Sequence, residues 1–173
     1  MILSDGDIIR EMRDGNLHVS PITDSQFQPA SVDLRLGEET YDCRHDRVYT
    51  FTRGPRFEPQ REGYMYLCHS QETIGLPPHI GAKLHGRSSL ARKGLAVHIT
   101  GGWVDPGFRG ELVFEVVNLS CKPIEIPIGQ RVAQLTFHYL NSPADVPYDE
   151  KRDAKYMDQT GAVTSRLDQD NDS

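Results

Sequence analysis

Between Val32 and Tyr139 the apolar residues fall in short runs broken by turn-forming residues. Val32, Leu34 and Leu36 alternate with Asp33 and Arg35, and Tyr64, Tyr66 and Cys68 alternate with Met65 and Leu67. Successive side chains of a strand point to opposite faces, so this period of two marks strands. Further strands are expected over Ile80–His85, Leu95–Ile99, Glu111–Asn118, Ile124–Ile128 and Arg131–Tyr139. Pro77-Pro78, Asp105-Pro106-Gly107, Pro127 and Gly129 separate them. Many short strands with regular turns imply an all-β barrel or sandwich. One helix is readable at the N-terminus, where Ser4 can cap and Asp7 completes a capping-box-like pattern. Ile8, Ile9 and Met12 form its apolar stripe, and Gly15 supplies a stop. There is no internal repeat. A length of 173 residues suits one domain over 1–173. Its polar stretch 141–173 reads as a C-terminal tail whose end, DQDNDS, is expected to fray.

Charge and cysteine usage narrow the partners. Asp and Glu exceed Lys and Arg by 25 − 19 = 6. A net charge of −6 argues against a long nucleic-acid polymer but leaves room for a single nucleotide in a local basic pocket. No run of about 18 apolar residues is present, so no membrane span is expected. The first 15 residues lack a basic segment followed by an apolar stretch, so no secretory signal is expected either. Cys43, Cys68 and Cys121 lie far apart and form no CxxC, which suits free thiols in a reducing compartment such as the cytoplasm. The HxE and PCxxC segments of zinc deaminases are missing. So are GxGxxG, a Walker loop and HExxH.

Three stretches carry candidate chemistry. In Glu111–Asn118, Leu112, Phe114 and Val116 share one face, while Val113, Glu115 and Val117 share the other. Both faces are apolar, so burial on both sides is expected, and Glu115 interrupts the second. Burial disfavours a charged carboxylate and raises its pKa, which suits a general acid/base working near neutral pH. The alternative is a Glu paired with a nearby Arg. In His85–Arg92, Gly86 allows close backbone approach, and Ser88 or Ser89 can cap a short helix through Leu90, Ala91 and Arg92. Hydroxyls, free N–H groups and the Arg87 and Arg92 guanidiniums there can hold phosphate oxygens. An ordinary Ser-capped turn with surface arginines explains the same residues. Asp105-Pro-Gly-Phe reads as a turn. His98 reads as a hydrogen-bonded core residue, Trp103 as core or as a wall beside a base, and Lys155–Gln159 as solvated.

Taken together these stretches resemble the dCTP deaminase branch of the trimeric dUTPase-like superfamily. The resemblance rests on Pro29-Ala-Ser-Val-Asp-Leu-Arg-Leu-Gly37, Gly86-Arg-Ser-Ser-Leu-Ala-Arg92 and Thr100-Gly-Gly-Trp-Val-Asp-Pro-Gly-Phe108. Gly110-Glu-Leu-Val-Phe-Glu115 and Asp153-Ala-Lys-Tyr-Met-Asp-Gln-Thr-Gly161 follow in the same order, so it spans nearly the whole chain. The last stretch looks like the deaminase tail rather than the Gly-rich closing motif of dUTPases. What the resemblance implies is a distorted β-barrel (β-clip) with a lid-like tail, working as a homotrimer with shared sites. It also implies zinc-free deamination of dCTP. Glu115 matches the catalytic glutamate. Arg87, Ser88, Ser89 and Arg92, with Leu90 and Ala91 between them, match the triphosphate-binding and site-shaping segment. Asp105 matches the deoxyribose contact, Val113, Phe114 and Glu115 the stretch beside the pyrimidine, and Tyr148, Lys155 and Gln159 nucleotide contacts from the tail. Magnesium would accompany the triphosphate, held mainly by the phosphates.

Within that family, Gly102-Trp103 resembles members that also cleave the triphosphate and release dUMP. Deaminase-only bacterial members read His-Arg there. Gln134 matches a nucleotide-contacting Gln of the bifunctional type. A Gly in place of His would leave space for a second water, which Asp105 could orient toward the α-phosphate. Gly101 stands where the family usually has Ala, and it keeps the backbone carbonyl that orients water. The expected activity is therefore dCTP to dUMP, ammonia and diphosphate. Deamination stopping at dUTP, dUTP cleavage alone, and a nucleotide-binding regulator without turnover are the alternatives.

Overall fold

The computed structural model describes residues 1–60 and 64–169. Beyond residue 169, the expected fraying of the DQDNDS end lies outside the described residues. Helix α1 (Asp5–Arg13) starts as expected. Ser4 Oγ accepts the Asp7 N–H at 3.2 Å, and the Asp7 carboxylate accepts the Ser4 N–H at 3.3 Å. Ile8 is buried and Met12 packs against the core, but Ile9 is 48% exposed, so the stripe is narrower than its sequence pattern.

The strands follow in order: β1 (His18–Ser20), β2 (Phe27–Gln28), β3 (Ser31–Asp42), β4 (Arg47–Thr50), β5 (Arg56–Phe57), β6 (Tyr66–Gly75) and β7 (Ile80–Gly86). After a short helix α2 (Ser88–Ala91) come β8 (Leu95–Val97), β9 (Trp103–Val104), β10 (Arg109–Asn118), β11 (Ile124–Glu125) and β12 (Arg131–Tyr139). The main antiparallel sheet runs β8-β10-β6-β3-β12-β7-β9 and curls into a half-barrel, with β1, β2 and β4 attached to its side. β5 and β11 form a separate pair. The all-β architecture expected from the sequence is therefore the one observed. β1, β2, β4, β5 and β9 were not legible, because two to four residues are too few to show a period.

The alternation in β3 is real, but its polar side is not solvated. Asp33 is buried as well as Val32 and Leu34. Arg87 and Arg131 reach its carboxylate at 3.2 and 3.1 Å. Arg35 meets the buried Glu72 at 2.6 Å. Ion pairing thus allows a carboxylate into the core where the pattern alone would put it in water. α2 begins one residue earlier than expected. Arg87 occupies the N-cap with no side-chain cap bond, because a guanidinium has no acceptor to offer the helix N–H groups; it pairs with Asp33 instead. Neither Ser88 nor Ser89 caps; both lie exposed in the first turn. Among the described residues no helix is long and apolar enough to cross a membrane. Cys43, Cys68 and Cys121 are free, and burial pushes the Cys68 thiol up to about 12.

After β12 the chain turns back over the start of β10. Tyr148 donates its N–H to Pro106 O at 2.7 Å, and Asp158 donates to Arg109 O at 2.8 Å. Gly107 and Gly110 make this crossing possible. At Gly107 a side-chain carbon would lie 2.7 Å from Tyr148 N, and at Gly110 it would lie 3.0 Å from Gln159 N. Both also have positive φ, +84° and +144°, which L side chains rarely adopt.

Candidate active site

Glu115 owes its surroundings to the pairing of β8 with β10, in which Val116 sits opposite Val97. That register carries the next residues of the chain, 98–102, across the Glu115 carboxylate. Oε2 accepts the Thr100 N–H at 2.7 Å and the Ile99 N–H at 3.2 Å, while Oε1 accepts the Thr100 hydroxyl at 2.5 Å. This is why β8 stops at Val97 rather than Ile99: those two amides serve the carboxylate instead of a ladder. An ionised carboxylate has about four acceptor positions. Three are filled, and the remaining one belongs to Oε1.

These bonds reverse the expected titration. Burial pushes the Glu115 carboxyl up, but the Thr100 hydroxyl and amide and the Ile99 amide outweigh it and hold it below the ordinary Glu value. The expectation of a raised pKa is therefore corrected. The group is an anion at neutral pH, ready to accept a proton. Burial on both faces of β10 is also only half observed. Leu112, Phe114 and Val116 are buried, and so is Val117 on the second face, whereas Glu111, Val113 and Glu115 are half-exposed; Val113 and Glu115 line a cavity.

That cavity holds about 730 Å³. Val113 and Glu115 line one side; His98, Gly101, Trp103 and Asp105 line a second; Tyr148, Lys151, Asp153, Lys155 and Gln159 of the tail line a third. Asp105 starts the expected turn, with its carbonyl accepting the Phe108 N–H at 3.1 Å. Its carboxylate instead accepts the Trp103 indole N–H at 3.1 Å, so the two residues are held as a unit. Trp103 is 49% exposed and not core. The tail is not a solvated stretch either. Gln159 is 8% exposed, its side-chain amide donates to Glu111 O at 2.8 Å, and its own carbonyl accepts the Glu111 N–H at 2.9 Å.

The other expected site residues lie elsewhere. Arg87, Ser88, Ser89, Ala91 and Arg92 are not among the residues lining the cavity, and Arg87 is spent on Asp33 and on Arg131 O. Leu90 is buried in the core, as is the Phe114 side chain. Gln134 sits half-buried on β12 beside His85 of β7. The space expected at Gly102 is not open. A side-chain carbon there would meet Leu84 O at 3.0 Å and the His98 ring at 3.6 Å. A His at 102 would press on backbone, so the missing side chain does not itself enlarge the cavity.

Thr100 was not singled out from the sequence, and neither was the role of His98. His98 Nδ1 accepts the Glu115 N–H at 3.3 Å, while its Nε2 is buried without a partner. Lys151 and Asp153 were also missed, because a polar tail gives no sign of which residues turn inward. The T-G-G-W stretch was the one available hint for Thr100, but its contact with Glu115 spans 15 residues of sequence and depends on strand register.

No group of three or more His, Cys, Asp or Glu side chains among the described residues is arranged to hold a metal ion. Besides Glu115, the cavity presents the carboxylates of Asp105 and Asp153 and the ammonium groups of Lys151 and Lys155. Magnesium commonly binds through one or two carboxylates plus substrate phosphates, and this donor set fits that mode.

Residues 2–140 match the family model described as dCTP deaminase-like. A protein of Halorubrum lacusprofundi named dCTP deaminase is 42% identical, covering 98% of this chain and 93% of its own. A protein of Dictyoglomus thermophilum named dCTP deaminase, dUMP-forming, is 39% identical, covering 98% and 96%. Among solved structures, the 2'-deoxycytidine 5'-triphosphate deaminase of Agrobacterium tumefaciens superposes with a TM-score of 0.69 at 24% identity over 80% of this chain; the match spans 48% of that longer chain. The native EIAV dUTPase superposes with a TM-score of 0.52, also at 24% identity, covering 79% and 97%. Both likenesses support the fold, and the family match and the curated relatives together show that the chain belongs to the dCTP deaminase-like family.

Proposed function

We propose that the chain hydrolyses dCTP in two steps. In the first, dCTP and water give dUTP and ammonia; in the second, dUTP and water give dUMP and diphosphate. The observation that carries this reading is the ionised Glu115, with one acceptor position free on Oε1, in the wall of a cavity large enough for a nucleotide. A water at that position loses a proton to Glu115 as it attacks the amino-bearing carbon of cytosine. Glu115 then returns protons to the departing nitrogen, which leaves as ammonia. Gly101 lines the same cavity, and its carbonyl orients the water on this reading. Asp105, fixed by Trp103, meets the sugar and orients the second water toward the α-phosphate. Asp105 and Asp153 would hold magnesium brought with the triphosphate, and the ion would supply charge to the phosphates there. Lys151, Lys155 and the tail close the cavity and exclude bulk water.

The phosphate cluster of Ser88, Ser89 and Arg92, braced by the Arg87–Asp33 pair, is supplied to this cavity by a neighbouring copy in a homotrimer. Support comes from exposure of Ser88, Ser89 and Arg92 on the outside of a chain whose own cavity they do not line. Residues 1–173 act as one unit, with 141–173 as its lid. The free thiols suit a cytoplasmic setting. The second reading is deamination that stops at dUTP. It is favoured by the Leu84 carbonyl that fills the space beside Gly102, and by relatives named simply dCTP deaminase.

Glu115→Gln tests the assignment. It keeps the shape and removes the base, so ammonia release from dCTP should fall by at least roughly 100-fold. Near-normal release by a folded variant would end the assignment.

A further inference from the structure

Gln159 reaches the cavity through a cluster that lies just outside it. Glu111 stands on the same face of β10 as Val113 and Glu115. Its Oε2 accepts the Gly161 N–H at 2.7 Å and faces His69 Nδ1 at 2.7 Å. His69 is 7% exposed, and its Nε2 accepts the Glu39 N–H at 3.2 Å. With Nε2 accepting, the ring N–H sits on Nδ1 and donates a hydrogen bond to Glu111 Oε2. The Glu39 carboxylate accepts the next tail amide, Ala162, at 3.3 Å. Two consecutive tail amides thus end on two carboxylates, and Gln159 is gripped two residues earlier by the backbone of Glu111. The exposed Arg109–Asp158 pair adjoins this cluster but is open to solvent, where such pairs contribute little.

We infer that His69, Glu111 and Glu39 form a latch that sets the tail, and that His69 and Glu111 are positioning residues for substrate capture. This deepens the reading of Gln159 as a nucleotide contact and rests on it. The latch fixes the docked tail before substrate arrives. When only a fraction of molecules has the tail docked, apparent affinity falls by that fraction, whereas bound nucleotide pulls the tail down at saturation. Loss of the latch therefore acts on KM and spares kcat. A purely structural role would lower the melting temperature and the active fraction at unchanged KM.

The test uses the full chain with Glu111→Ala, Glu111→Gln and Glu39→Ala. KM and kcat are measured with dCTP and magnesium, and hydrogen exchange is measured at residues 158–162 without nucleotide. Glu111→Ala should raise KM roughly 10-fold with kcat within about 2-fold, as expected for a lost bond to a charged group. It should speed exchange at Gly161 by a similar factor. Glu111→Gln keeps an oxygen that can accept from both His69 and Gly161, so it should restore both readouts. Glu39→Ala, a milder change at a half-buried position, should move KM the same way by roughly 2- to 3-fold. It keeps the idea testable should Glu111→Ala not fold. Unchanged KM in Glu111→Ala, Gln as harmful as Ala, or unchanged tail exchange would each overturn the latch. Exchange in the nucleotide-free chain is independent of turnover, so an inactive wild-type protein would reject the functional reading and the role in substrate capture, while unchanged tail exchange in Glu111→Ala would reject the latch itself.

Discussion

Glu115 and Arg92 are both expected to meet one nucleotide, yet the fold leaves them in opposite conditions. Glu115 is held by its own chain: the loop after β8 fills three of its acceptor positions, and the tail lines the cavity in front of it. Arg92 stands exposed at the end of α2, outside that cavity, and its neighbour Arg87 is occupied with Asp33. Base chemistry needs a carboxylate fixed and partly desolvated, which one chain can provide through strand register. Triphosphate binding needs guanidiniums that remain uncommitted until the ligand arrives. In the proposed trimer, chemistry would fall to one copy and phosphate grip to another.

Removing the tail should do the greatest damage to this division. A chain ending before Tyr148 keeps the sheet and Glu115 but loses one whole wall of the cavity. We expect a folded protein, judged by a single thermal transition, with dCTP turnover reduced at least roughly 100-fold. Turnover at the normal rate would show that the tail is not part of the site.

Arg92→Ala comes next. It should lower kcat/KM roughly 10- to 100-fold, the scale of a lost charge-assisted bond. Mixing these chains with Glu115→Gln chains should raise activity above the sum of the two alone, because some interfaces then join an intact Glu115 to an intact Arg92. No recovery after subunit exchange would contradict a shared site. Wild-type kinetics of Arg92→Ala would reduce α2 to an ordinary surface turn.

Asp105→Asn should cut dUMP formation about 10-fold more than ammonia release, a selective loss of the second step. Equal loss of both products would assign Asp105 to sugar binding alone.

The smallest effect concerns pH. Glu115 titrates below the ordinary Glu value in the folded chain, so kcat/KM should stay level as pH falls to that range and drop only below it. By linkage, the unfolded chain binds this proton at higher pH. Its stabilising contribution is complete above the unfolded value and is lost as pH falls through the folded one. Thr100→Val removes the hydroxyl bond and lets burial act more strongly, so the acid limb of the kcat/KM profile should move upward. An unmoved limb would assign it to another group.

The same contrast marks what could be read from the sequence. The strands with room to alternate, β3, β7, β10 and β12, were legible, and so was the Ser4–Asp7 cap. Glu115 stood out as a carboxylate among apolar residues. Its low pKa was not legible, since the burial expected from its neighbours in sequence is overcome by Thr100 and Ile99, which only pairing between strands brings near. The burial of Asp33 was not legible, because its ion partners are 54 and 98 residues away. The tail looked solvated because its anchors are backbone amides, which carry no residue-type signal.

The central claim is that this cavity deaminates dCTP and cleaves its triphosphate. Incubating the purified chain with dCTP and magnesium and identifying every product tests it most directly. The account predicts ammonia, diphosphate and dUMP in equal amounts at completion. Unchanged dCTP would contradict it altogether, and accumulation of dUTP with added dUTP left intact would contradict the second step.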